Sequence, residues 1–138
     1  MKVFLDTNIL IDYVGNRDER NFCRFIIELG EKGCIELCAS YLTYANMAYI
    51  LRHKTNKYSL LRQARQGINV LLPTITQLDY TLTNEVKDFE DLLQYRSAVE
   101  SGCDVIISNN IGDFKEFCTL PLFTSEEFVI NWLLNVKP

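Results

Sequence analysis

Residues 88–114 read DFEDLLQYRSAVESGCDVIISNNIGDF, a helix followed by the strand it leads into. Between Asp88 and Ser101, the apolar residues Phe89, Leu92, Leu93, Tyr95, Ala98 and Val99 recur at helical spacing. Gly102 then ends the helix. Val105-Ile106-Ile107 is a continuous apolar run, the pattern of a strand covered on both faces. A helix running into such a strand is half of a β-α-β unit, and these units stack into parallel sheets between two helical layers.

Working outward, the same alternation extends in both directions. Strands are predicted at Lys2–Leu5, Ile35–Ala39 and Asn69–Leu72, the last stopped by Pro73. Helices are predicted over Asn8–Val14, Asp18–Glu31, Lys57–Gln66 and Ile75–Leu82. Ser40 is a plausible N-cap for another helix, running to about Lys54. Beyond Val105–Ser108 come a short helical turn at Ile111–Phe117, a short strand at Leu122-Phe123 and a last helix, Glu126–Asn135, capped by Ser125. The expected architecture is a three-layer α/β/α sandwich around a mostly parallel sheet of four to five strands. A chain of 138 residues fits one domain, residues 1–138, since domains cluster near about 100–150 residues.

Composition excludes several classes. Hydrophobic residues make up 48% and charged residues 23%, which is neither a disordered nor a membrane-spanning profile. No apolar run approaches the roughly 20 residues of a transmembrane helix. Met1–Asp6 lacks the apolar core of a secretory signal, so a cytoplasmic location is expected. The five cysteines (Cys23, Cys34, Cys38, Cys103 and Cys118) then read as reduced, buried hydrophobes. With His53 as the sole histidine, they make a poor zinc set. The net charge of −4 argues against a simple polyelectrolyte binder. It conceals an asymmetry, however. Residues 37–78 carry five cations and no acid, whereas residues 79–138 carry eleven acids and four cations.

In open α/β sheets, ligands bind at the carboxyl ends of the strands. Asp6 ends the first strand, and Asp113 follows the fourth by a short loop. Asp91 lies in the first turn of the helix preceding the fourth strand. That helix runs antiparallel to the strand, so its start lies at the same edge. Each residue has a plainer reading: Asp6 as an N-cap, Asp91 as a partner of the helix dipole, Asp113 as a turn residue. Together they form three converging carboxylates. Such groups repel unless a hard cation neutralises them, and all-oxygen ligation favours Mg²⁺ or Mn²⁺. Sites of this kind activate water for attack on phosphate esters.

Other phosphate chemistries fit less well. A haloacid-dehalogenase-type phosphoaspartyl enzyme needs a second Asp two residues after Asp6, where Asn8 stands. A receiver domain needs an Asp ending the third strand, which here ends Leu72-Pro73. Thr7-Asn8-Ile9 offers no glycines for a nucleotide-binding loop.

The run Leu5-Asp6-Thr7-Asn8-Ile9-Leu10-Ile11-Asp12 resembles the opening motif of PIN domains. Asp88-Phe89-Glu90-Asp91, then Ile106-Ile107-Ser108-Asn109-Asn110 and Asp113-Phe114, resemble the family's third and fourth motifs in order. The resemblance spans essentially the whole chain, closing with Phe123-Thr124-Ser125-Glu126-Glu127-Phe128. It implies a metal-dependent nuclease, usually acting on RNA and often the toxin of a toxin–antitoxin pair. By that resemblance Asp6, Asp91 and Asp113 hold Mg²⁺ or Mn²⁺, with Asn8, Ser108 and Asn110 as orienting groups.

Two departures stand out. The family's second acid closes a Ser-x-x-Thr-x-x-Glu pattern. Here Ser40-Tyr41-Leu42-Thr43-Tyr44-Ala45-Asn46 closes on an amide. Asn46 keeps a ligating oxygen but loses a charge, which implies weaker cation binding and an activity gain on Asn46→Glu, with Glu90 and Asp88 as candidate compensating acids that the sequence does not place. It also favours an alternative: a PIN-like module that binds RNA or a protein without cutting. In the fourth motif the family's Thr-Arg-Asn is replaced by Ser108-Asn109-Asn110. Arg52, Lys54 and Lys57 are candidate phosphate contacts, with tyrosines nearby to stack on unpaired bases. RNA, an antitoxin and a second copy of the chain are the expected partners. Tyr13, Phe22, Phe25, Tyr49 and Ile50 are candidates for an antitoxin groove.

Overall fold

The computed structural model describes residues 1–15 and 20–135. Asp18 and Glu19, the expected start of the second helix, lie outside the described residues. Five strands form one sheet: β1 (Lys2–Leu5), β2 (Glu36–Ser40), β3 (Asn69–Leu71), β4 (Val105–Ile107) and β5 (Leu122–Phe123). Their order is β3-β2-β1-β4-β5, and every pair is parallel. The helices are α1 (Thr7–Val14), α2 (Arg20–Glu31), α3 (Tyr41–Ile50), α4 (Lys57–Arg65), α5 (Ile75–Thr83), α6 (Phe89–Glu100) and α7 (Ser125–Asn135).

The two helical layers can be read from strand alternation. Val3 and Leu5 pack into one core with Ile9, Leu10, Ile26, Met47 and Phe128. Phe4 points the other way, into a second core with Tyr95, Ala98, Ile106 and Phe114. β4 divides likewise, with Val105 and Ile107 on one side and Ile106 on the other. All three are buried, so the continuous apolar run follows from a strand that has no wet face.

The sequence order turns back at β1. The chain builds outward through β2 and β3, then returns to lay β4 on the opposite side of β1. A crevice opens at the carboxyl ends of strands flanking such a reversal. Register sets its walls: Leu5 pairs with Ile107, which brings Asp6 level with Ser108. The backbone N–H of Asp6 donates to Ile107 O at 3.0 Å and continues the ladder one step past the strand.

α6 delivers its first turn to this edge. Asp88 caps it, with Oδ1 accepting from Asp91 N at 3.1 Å. Gly102, at φ 75°, ends it in the left-handed region that glycine adopts without strain. α3 stops at Ile50, four residues before Lys54. There the Arg52 guanidinium donates to Tyr49 O at 2.8 Å and satisfies a carbonyl that a longer helix would have used. Cys34 is exposed and Cys118 half-buried, which differs from the expectation of five buried thiols. Among the described residues, no helix is long and apolar enough to cross a membrane.

Candidate active site

Asp6 sits at the floor of the crevice and is only 6% exposed. It is the N-cap of α1, with Oδ1 accepting from Thr7 N at 2.8 Å. Oδ2 accepts from Ser108 Oγ and from Asn8 Nδ2, each at 2.8 Å. The capping role and the strand-end position therefore belong to one carboxylate. Burial pushes its pKa up to about 6; the Ser108 and Thr7 hydrogen bonds pull the other way, and the charges of Asp113 and Glu90 add to the rise.

Asp91 and Asp113 lie across from it. Their carboxylate oxygens, with those of Asp88, lie within 4.8 Å of one another. Asp6 stays outside this tight group, and its oxygens accept from Thr7, Asn8 and Ser108. Its charge nonetheless reaches Asp91. Burial is the first cause that raises the Asp91 pKa to about 8, followed by the charge of Asp6 and then by Asp88 and Asp113. Asp88 thus caps α6 and also lines the cluster, a double role that the helix-start pattern alone does not disclose.

A polar frame holds the acids. Asn110 donates its side-chain amide to Asp113 Oδ2, and its backbone N–H donates to Ser108 Oγ at 3.0 Å. Asn8 accepts from Asn109 N at 3.0 Å. Asn109, which stands where the family has Arg, acts as a clamp. Its Nδ2 donates to the buried Asp12 at 2.8 Å, and its Oδ1 accepts from Ser125 N and Oγ at 2.9 Å. Thr7 and Thr43, both buried, bond through their hydroxyls at 3.1 Å and tie α1 to α3. Motif reading includes Asn109, Asp12 and Thr43 but does not disclose their hydrogen bonds, because the partners are distant in sequence.

Asn46 is half-buried on α3, and its side-chain amide donates to Glu90 Oε1. Arg52, Lys54 and His53 are exposed beyond the end of α3, and Lys57 is half-buried at the start of α4. The Arg52 guanidinium lies 4.0 Å from the Tyr49 ring centroid, and Lys57 Nζ lies 5.6 Å from that of Tyr58. Among the described residues, no hydrogen bond or ion pair joins these cations to the acids of the crevice. Tyr13, Phe22 and Phe25 pack against the core, whereas Tyr49 and Ile50 are exposed.

The donor set fits a hard divalent cation. It is all oxygen, it combines the Asp88 and Asp91 carboxylates at the start of α6 with Asp113 after β4, and among the described residues no Lys or Arg pairs with it. Two of the acids are held above the usual carboxylate range, first by burial and then by the charges of neighbouring acids.

The chain is similar to known proteins in sequence and in fold. Ribonuclease VapC1 of Aquifex aeolicus (strain VF5) is 27% identical over 142 residues, covering 95% of each chain. Three solved structures share the fold. VapBC2 from Rickettsia felis, bound to a DNA fragment from its promoter, aligns with a TM-score of 0.69 at 19% identity, covering 88% of this chain and 97% of that one. A toxin–antitoxin complex from Klebsiella pneumoniae gives 0.66 at 18%, covering 89% and 97%. VapBC-1 from nontypeable Haemophilus influenzae gives 0.62 at 22%, covering 91% and 99%. A family model for the PIN domain matches residues 2–112, a span that holds β1, β4, Asp6 and Asp91 and stops one residue short of Asp113, and the chain belongs to the PIN-domain family.

Proposed function

We propose that the chain is an Mg²⁺- or Mn²⁺-dependent endoribonuclease that cuts single-stranded RNA, and that it is the toxin of a toxin–antitoxin pair. The observation that carries this reading is the convergence of Asp6, Asp91 and Asp113 at the β1/β4 edge, where among the described residues no cationic side chain pairs with them. The Aquifex relative is a ribonuclease and the Klebsiella structure a toxin–antitoxin complex, which supports both halves of the proposal.

Asp6, Asp91 and Asp113 are the residues that hold the ion. A divalent cation bound there neutralises phosphate charge and makes water a stronger nucleophile near neutral pH. Ser108 and Asn8 aim the Asp6 carboxylate by donating to its Oδ2, and Asn110 aims Asp113 by donating to its Oδ2. Arg52, Lys54 and Lys57 contact backbone phosphates outside the crevice, independently of base sequence. Exposed Tyr49 and Tyr58, each already beside a cation, offer faces on which unpaired bases stack. Tyr49 and Ile50 remain available to an antitoxin or to a second copy of the chain.

The test is cleavage of a mixed single-stranded RNA pool with Mn²⁺, with Mg²⁺ and with EDTA. Wild-type protein cuts in either metal and not in EDTA, and Asp6→Asn does not cut. An Asp6→Asn variant that cuts as fast as wild type would sink the assignment. RNA binding without cutting in either metal would favour the binding-module alternative.

A further inference from the structure

Position 46 lacks the acid that the family pattern places on this helix, yet a carboxylate stands next to it. Asn46 Nδ2 donates to Oε1 of Glu90, which reaches across from the first turn of α6. Gln94, one turn further along α6 and 1% exposed, donates its Nε2 to the same oxygen at 3.2 Å. A carboxylate only accepts, so both amides must turn their NH₂ groups toward Glu90. For Gln94 this orientation leaves Oε1 buried without a partner. A buried orphan carbonyl is unfavourable, so the amide is held in that sense by what it gives Glu90.

Two donors on Oε1 fix the carboxylate plane. Among the described residues, nothing donates to Oε2. Glu90 stands beside Asp91 in the first turn of α6, outside the tight Asp88–Asp91–Asp113 group, and its charge adds last to the rise at Asp6. The side chain is therefore oriented from one oxygen, with the other open.

Resting on the reading of the crevice as a cation site, we propose that Glu90 supplies from α6 the carboxylate that position 46 lacks, and that Asn46 and Gln94 are positioning residues that aim it. The charge missing from α3 is then supplied from α6. The consequence reverses the expectation drawn from the family pattern. A Glu at position 46 would meet Glu90 head-on and lose its hydrogen bond, so Asn46→Glu alone does not improve the site.

The experiment is Mn²⁺ binding to the full chain by isothermal titration calorimetry, without RNA, beside melting temperatures in EDTA to confirm folding. Glu90→Gln weakens Mn²⁺ binding about tenfold or more, while its metal-free melting temperature holds or rises. Gln94→Leu weakens binding less. Asn46→Glu fails to tighten binding, and Asn46→Glu combined with Glu90→Gln returns affinity toward wild type. Asp6→Asn is the reference for the site itself. If Asp6→Asn loses Mn²⁺ and Glu90→Gln binds as wild type, this inference fails and the proposed function stands. If neither variant changes binding, both fail. Tighter binding by Asn46→Glu alone would also overturn the inference.

Discussion

Ser108 Oγ donates to Asp6 Oδ2 at 2.8 Å, joining the ends of β4 and β1 across 102 residues of chain. The bond exists because Leu5 and Ile107 are register partners, so the next residue of each strand emerges at the same level. It also opposes the effect of burial on Asp6. Ser108→Ala should raise the Asp6 pKa further and weaken Mn²⁺ binding about 10-fold, while Ser108→Thr retains the hydroxyl and most of the affinity. Calorimetry on the two variants decides it; equal affinities would remove this bond from the site's chemistry.

Asp6→Asn should separate activity from stability. RNA cleavage falls by about 100-fold or more, since loss of outer groups alone costs metal sites 10- to 100-fold. In EDTA at pH 8 the same variant should melt higher than wild type, because a buried repelling charge is gone, by about 2–4 °C for each kcal/mol recovered. Lower melting in EDTA would mean that the Asp6 hydrogen bonds outweigh its desolvation.

The pH dependence follows from the same two carboxyls. Asp6 is raised to about 6 and Asp91 to about 8, both from 3.8. The folded chain therefore binds more protons than the unfolded chain between pH 4 and 8, and stability falls as pH rises through that window. Metal-free melting temperatures should decline from pH 5 to pH 8, and added Mn²⁺ should reverse the decline. The Asp91→Asn variant should show a shallower slope; an unchanged slope would place the titrating group elsewhere.

Phe114 follows Asp113 directly and is fully buried with Phe4, Tyr95 and Ile106. It anchors the loop that carries the third acid. Phe114→Ala should cost about 3–5 kcal/mol of stability and loosen Mn²⁺ binding as well. Chemical denaturation gives the first quantity, and a loss below about 1 kcal/mol would show that the loop is held by other contacts.

Lys54→Ala and Lys57→Ala should weaken single-stranded RNA binding uniformly across sequences, leaving Mn²⁺ affinity unchanged. The salt dependence should flatten for each charge removed, by about 0.7 in the log–log slope. Unchanged slopes would mean that RNA does not cross the α3–α4 corner.

The alternation of short apolar runs with amphipathic helices was enough to predict the three layers, because period-2 and period-3.6 patterns respond directly to burial. Val105-Ile106-Ile107 could be placed inside the sheet from its sequence, since a strand with three consecutive apolar residues must be covered on both faces. The end of α3 was less legible. Arg52, His53 and Lys54 are tolerable helix formers, and it is the Arg52 contact to Tyr49 O that accompanies the stop.

The meeting of Asp6 and Asp113 at one edge could be inferred from strand ends, and that of Asp91 from the direction of its helix. Partners separated by long loops could not. Asp88 with Asp91 and Asp113, Asn109 with Asp12 and Ser125, and above all Glu90 with Asn46 depend on how α3, α6 and the β4 loop face one another. By itself the sequence determined which side chains are apolar, where helices begin and which acids stand at strand ends, because those are local properties. Tertiary structure alone decided which oxygen faces which amide, because a side-chain hydrogen bond requires placement to within a few tenths of an ångström and no local pattern encodes the relative position of two helices.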